Sequence, residues 1–210
     1  RWVVVMRKIS DESRKKIELA VEQAEATTSG EIVPVILKQS DLYPAGHFRL
    51  ALVIGVIFSL IYYYGFEFED SLGLIWVQLP GMLLGYLLAY LPFVKRLVTT
   101  SSELQEESYQ RAVQVFHEHQ VSMTRDRTGI MIFISLLERR VLVMADAGIN
   151  QSVAPDYWDQ IVKRMVDQIK QGDEVGAMVE AIGECGKSLS SSFPRKPDDT
   201  NEVKDQLITD

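Results

Sequence analysis

Three aspartates, Asp126, Asp146 and Asp156, stand with Arg127 and Thr128 in the second half of this 210-residue chain. Carboxylate oxygens around a divalent cation can polarise a phosphoryl group, so this set could support metal-assisted phosphate hydrolysis, with Asp146 and Asp156 as metal ligands. Arg127 could instead hold an anion or a partner. The plainer alternative pairs Asp146 with Arg127 as a structural ion pair and gives Asp156 to the first turn of a helix. Residues 181–188 (AIGECGKS) nearly match the phosphate loop, but Ala181 replaces its first glycine. That motif must sit between a strand and a helix, and here it falls late in a helical pattern, so no nucleotide is expected. His117 and His119 point to different sides of a helix and suit its C-terminal end. The single cysteine, Cys185, excludes an internal disulfide and reads as a small buried residue. No Ser-His-Asp order, H-E-x-x-H motif or cysteine pair is present.

The elements that must position these residues follow from periodicity and caps. Ser10, with Asp11 and Glu12 behind it, starts a helix carrying Ile17, Ala20, Val21 and Ala24 inward, closed by Gly30. Residues 31–37 (EIVPVIL) read as a strand that Pro34 demotes to an edge or a bulge. Ser102 can cap a helix running to about His119. Residues 129–136 (GIMIFISL) and 141–145 (VLVMA) are two strands joined by a hairpin-length loop. Two more helices follow, one after Pro155 and ended by Gly172, the other capped by Asp173. From Ser190 onward serine, proline and charge predominate, which predicts a mobile tail.

Composition points elsewhere too. The chain carries a net charge of −7 and a pI near 5.1, which argues against nucleic acid as a partner. Its mean hydropathy of +0.01 is high for a chain with 24% charged residues, because the apolar residues are concentrated. Residues 50–94 contain no Lys, Arg or His, and their only acids are Glu67, Glu69 and Asp70. Leu50 to Phe66 would make a helix of about 26 Å and Leu72 to Val94 one of about 35 Å, kinked at Pro80. A hydrocarbon core is roughly 30 Å thick. The short acidic linker makes the two helices antiparallel neighbours, with Gly55, Gly81, Gly85 and Ala89 allowing close approach. Lys38, Arg49, Lys95 and Arg96 flank the hairpin ends, so the positive-inside rule puts both termini in the cytoplasm. Residues 1–6 are too short for a signal-peptide core, and the first five are expected to lie upstream of the natural start at Met6.

The expected fold is thus α/β: a three-layer α/β/α sandwich with a small mixed sheet, plus an inserted two-helix transmembrane hairpin. Its expected parts are 8–48, the hairpin 49–96, then 97–190 and the tail 191–210. A strand, a crossover and a next strand make a parallel pair. Glu31, Asp126, Arg127, Thr128, Asp146 and Gly148 should then gather at one end of the sheet, away from the membrane and facing the cytosol.

The helix start ISDESRKKIELAVEQAE, the strand GEIVPVIL, the hairpin RTGIMIFISLLERRVLVMADAGI and the later FP together resemble the TPM domain, in its membrane-anchored bacterial branch. The family's founders include a thylakoid lumen acid phosphatase, a photosystem II repair protein and an auxiliary subunit of a levamisole-type receptor. The resemblance implies an α/β sandwich, in some members divalent metal (Ca or Mg) at an acidic site, and association with membrane complexes. Soluble members have Asp-Asn-Gly where this chain has Arg127-Thr128-Gly129, which exchanges a hard-cation ligand for a fixed cation. Their Gly-x-Gly is here Asp146-Ala147-Gly148, and a later family acid corresponds loosely to Asp156. The expected function is a two-pass protein of the bacterial inner membrane, a non-catalytic accessory or assembly module. Its partners would be the lipid bilayer and another membrane protein or complex. The alternative is a divalent-metal-dependent acid phosphatase acting on phosphomonoesters.

Overall fold

The computed structural model describes residues 9–65, 71–198 and 201–210; the expectations about residues 1–5 and about the acidic linker at 67–70 lie outside them. The chain divides into two compact units, one of residues 1–40 and 108–210, the other of residues 41–107.

The first unit is a mixed four-stranded sheet with helices on both faces. Its strands are β1 (Glu31–Leu37), β2 (Gly129–Ser135), β3 (Arg140–Ala145) and β4 (Ile208–Thr209), in the order β3-β2-β1-β4. β1 and β2 are parallel from Glu31 opposite Gly129 to Leu37 opposite Ser135, and β3 runs antiparallel to β2. Every residue of β1 and β2 is buried, as expected of near-continuous apolar strands covered on both faces. Alternation then sorts the side chains. Ile32, Ile36, Ile130, Ile132 and Ile134 pack with Ile17 and Val21 of α1 (Asp11–Glu25), with Ile161, Met165 and Ile169 of α7 (Tyr157–Ile169), and with Met178, Ile182 and Leu189 of α8 (Glu174–Ser192). Val33, Val35, Leu37, Met131 and Phe133 turn the other way, onto Ala112, Val115 and Phe116 of α5 (Ser101–Glu118).

The caps are chemical. Ser10 Oγ accepts from Ser13 N (3.1 Å) and Asp173 Oδ1 from Gly176 N (2.8 Å). α5 starts two residues earlier than expected because Thr100, not Ser102, caps it. Thr100 N donates to Glu103 Oε2 (2.9 Å) and Glu103 N to Thr100 Oγ1 (3.3 Å), the reciprocal pair of a capping box.

Two expectations need correction. Composition predicted a mobile tail from 191, whereas α8 continues to Ser192 and Ile208–Thr209 pair in parallel with Val35 and Ile36. Arg14 secures this return, donating to Leu207 O (2.7 Å) and Thr209 Oγ1 (2.8 Å). β1 is therefore internal over Val35–Ile36 only; opposite Pro34 no β4 residue is paired, so the missing N–H costs no ladder bond on that side.

In the second unit, α2 (Pro44–Gly65) and α3 (Ser71–Leu88) are antiparallel, and glycines hold them close. A Cβ on Gly85 would come within 2.7 Å of Leu50 O, and one on Gly81 within 3.0 Å of Ile54 O. The expected 23-residue span is broken. Leu91 is extended (ψ 125°), as a residue before proline prefers, and Pro92 starts a separate α4 (Pro92–Val98) bent by 109° from Leu72–Leu88. Among the described residues α2 is the one helix long and apolar enough to cross a membrane by itself; α3 qualifies only jointly with α4.

At the start of β2, a Cβ on Gly129 would lie 2.0 Å from the Val121 carbonyl oxygen, a backbone atom that cannot swing aside. Gly129→Ala should cost about 2 kcal/mol, read in urea as a lower midpoint with an unchanged slope.

Candidate functional site

At the end of the sheet where β1 and β2 begin and β3 finishes, several charged residues come together. Glu31 N donates to Thr128 O (3.1 Å), Thr128 Oγ1 to Ser29 O (3.1 Å), and Asp146 N to Gly129 O (2.9 Å), so three loops are stitched together. Arg127 adopts a left-handed backbone (φ 57°), and its guanidinium donates to Ser122 O (2.7 Å). The same group lies 3.5 Å from Asp146 Oδ2. Asp146 is nearly buried, and its other oxygen accepts from Ala147 N (2.7 Å) at the start of α6 (Ala147–Asn150). The structure therefore contains the ion pair of the plainer sequence reading. Gly148 sits against it, where a Cβ would meet Arg127 O at 2.7 Å. Asp126 pairs with Lys196 Nζ (2.6 Å), which holds its carboxyl below the usual range. Asp156 accepts from Gln160 Nε2 (2.6 Å) at the foot of α7.

A second acidic group lies at the same end of β1, and sequence reading named only one of its members. Glu25, Glu31 and Asp205 each place a carboxylate oxygen within 4.8 Å of the others. This is the one group of three or more potential metal ligands among the described residues, and neither Asp146 nor Asp156 belongs to it. With Glu22, Thr28 and Arg195 these acids line a cavity of about 130 Å³. Glu25 accepts from Ile32 N (2.7 Å), and Glu31 accepts from Glu202 N (3.1 Å) and Val203 N (3.4 Å). Burial foremost, then the neighbouring Glu31 and Asp205, push the Glu25 carboxyl up to about 9; burial also raises Glu31. Glu25 is thus protonated near neutrality, and its proton relieves the repulsion of the cluster. An all-carboxylate set suits a hard cation such as Ca²⁺ or Mg²⁺. At the first cluster the Arg127 cation already lies 3.5 Å from Asp146 Oδ2.

Sequence reading missed Glu25 and Asp205 because each looks solvated locally, one at the end of an amphipathic helix, the other in a charged tail. Residues 181–188 lie inside α8, where their N–H groups belong to the helix. Cys185 is fully buried, and burial raises its thiol to about 12.

A family model described as the TPM domain matches residues 94–188. This stretch, somewhat under half of the chain, is similar to a TPM domain. The match encloses β2, β3 and the Arg127–Asp146 pair, while Glu25, Glu31 and Asp205 lie outside it. Among solved structures the chain is similar to the NMR structure of the BA42 protein from the psychrophilic bacterium Bizionia argentinensis. The TM-score is 0.61 at 21% identity, with 99% of each chain covered, a likeness of fold. No curated protein matches the chain.

The raised Glu25 carboxyl makes stability depend on pH with a definite sign. Below 4.5, its ordinary value, folded and unfolded chains both hold the proton and its stabilising contribution is fully present. As pH rises towards 9 only the folded chain retains the proton, so stability falls, by at most ~1.4 kcal/mol per pH unit. Glu25→Gln keeps an acceptor for Ile32 N and removes the titration. It should raise Tm at pH 8 and leave it nearly unchanged at pH 4.5, as thermal melts across that range would show.

Proposed function

We propose that the chain is a membrane-anchored TPM-domain protein of the bacterial inner membrane, acting as a non-catalytic accessory or assembly module for a membrane complex. The observation that carries this reading is the surface of the second unit. Leu52, Val53, Val56, Leu60 and Ile61 of α2 and Leu72, Ile75, Trp76, Leu79, Leu83 and Leu87 of α3 are each more than half exposed. Two packed helices covered in apolar side chains suit lipid, or the helices of a membrane partner, and not water. The anchor would be two-pass, α2 crossing once and α3 returning, with both termini and the TPM domain on the cytoplasmic side. The first unit supports the accessory role, because Asp146 already faces the Arg127 guanidinium at 3.5 Å and Cys185 is sealed in the core.

The full chain produced in a bacterial host should sediment with membranes and resist alkaline carbonate. Ser71→Cys should react with an impermeant maleimide in intact spheroplasts. Recovery of the chain in the supernatant would overturn the anchor, and labelling only after lysis would overturn the orientation.

The second reading, a divalent-metal-dependent phosphatase acting on phosphomonoesters, is favoured by the Glu25–Glu31–Asp205 group rather than by the Asp146–Asp156 pair that sequence suggests. A cation there would displace the Glu25 proton, so affinity should rise with pH. Titrating the detergent-solubilised chain with Ca²⁺, Mg²⁺ and Mn²⁺ tests it. This reading expects Tm to climb with metal, more at pH 8 than at pH 6, and the climb to vanish in Glu25→Gln with Asp205→Asn. A flat response together with no phosphomonoester hydrolysis would remove it.

A further inference from the structure

We propose that α4 lies flat in the headgroup region of one leaflet, with Phe93 and Leu97 inserted among the acyl chains; this rests on the membrane reading above. α4 is inside out for a helix in water. Phe93 and Leu97, one turn apart on one face, are 78% and 73% exposed, and Leu91 just before them is 53% exposed. Lys95 and Thr99 are turned inward and buried. The bend supplies the orientation: if α3 runs along the bilayer normal, a segment turned from it by 109° lies close to the membrane plane. An interfacial helix buries its apolar face by about 5–10 Å.

Packing within the second unit fixes that bend. Gly46 of α2 lets α4 come close: a Cβ there would meet Thr99 Oγ1 and Val98 Cγ2 at 3.2 Å. Arg49 donates to Val98 O (3.3 Å) and to Glu103 Oε2 (2.8 Å), tying α2 to both ends of the 99–100 junction. Before the bend, Tyr90 meets the buried His47 ring edge-on at 4.7 Å. Charge chooses lipid over a protein groove as the occupant. Residues 71–100 contain no acid; their only charges are Lys95, buried inside the unit, and Arg96 of α4, a base that an anionic leaflet attracts. The surface is also continuous with the exposed apolar residues of α3, so one medium covers both.

Depth measurement separates the possibilities. Phe93→Cys, Leu97→Cys and, as a reference within α2, Ile57→Cys would each be labelled with an environment-sensitive NBD probe. The full chain is then reconstituted in 3:1 phosphatidylcholine/phosphatidylglycerol vesicles. Cys185 is buried and stays unlabelled, which the parent chain verifies, and both α4 positions are exposed, so the probes leave the packing intact. The expected result is equal, shallow depth at 93 and 97, with stronger quenching by 5-doxyl than by 12-doxyl lipid. A depth difference of about 6 Å between the two would mean that α4 continues across the bilayer, and would overturn the proposal. Unquenched probes at 93 and 97 beside a quenched probe at 57 would also overturn it, leaving the anchor intact. An unquenched probe at 57 as well would overturn both.

Discussion

Neither face of β1 or β2 touches water, and the rest of the first unit follows from that constraint. Two parallel strands with fourteen buried residues cannot stand as a hairpin; their faces need helices on both sides and their outer edges need partners. α1, α7 and α8 cover one face and α5 the other, β3 takes the edge of β2, and the C-terminal return takes part of the edge of β1. The price is polar: where the strands start, backbone and side-chain groups leave the sheet in a crowded space and must be paired there. Thr128, Ser29, Asp146 and Glu31 do this pairing, and close by, burial first and neighbouring carboxyl groups second leave Glu25 holding a proton.

Much of this was legible in the sequence. The runs EIVPVIL and GIMIFIS announce buried strands, and Ser10, Asp173 and Gly172 mark helix ends by the chemistry they perform. The Arg127–Asp146 pair was also visible, since a fixed cation stands where a ligand would be needed. What was not legible came from long-range closure. A two-residue strand has no periodicity, and the tail around it is as charged as a solvated one. Glu25, Glu31 and Asp205 converge from positions 180 residues apart, so no local spacing could join them. Residues 72–94 failed differently: counting apolar residues gave one long helix, while the local rule that a residue before proline leaves the helical region was already written at Leu91-Pro92.

The two units use glycine to the same end. Between α2 and α3, Gly81 and Gly85 remove side chains so that the helical backbones come close. At Gly129 the missing side chain makes way for the Val121 carbonyl. In both units, then, the backbone sets the limit of approach.

The apolar helices are spliced between β1 and its parallel neighbour β2, and this separates the two by about 90 residues of chain. During synthesis, at roughly 5–20 residues per second, β1 waits on the order of 5–20 s before the strand that completes its ladder exists. Over that interval the helix pair emerges first. The apolar helix pair is therefore complete before the sheet can close, by the layout of the chain alone, and β1 spends that interval without the strand that pairs along its edge.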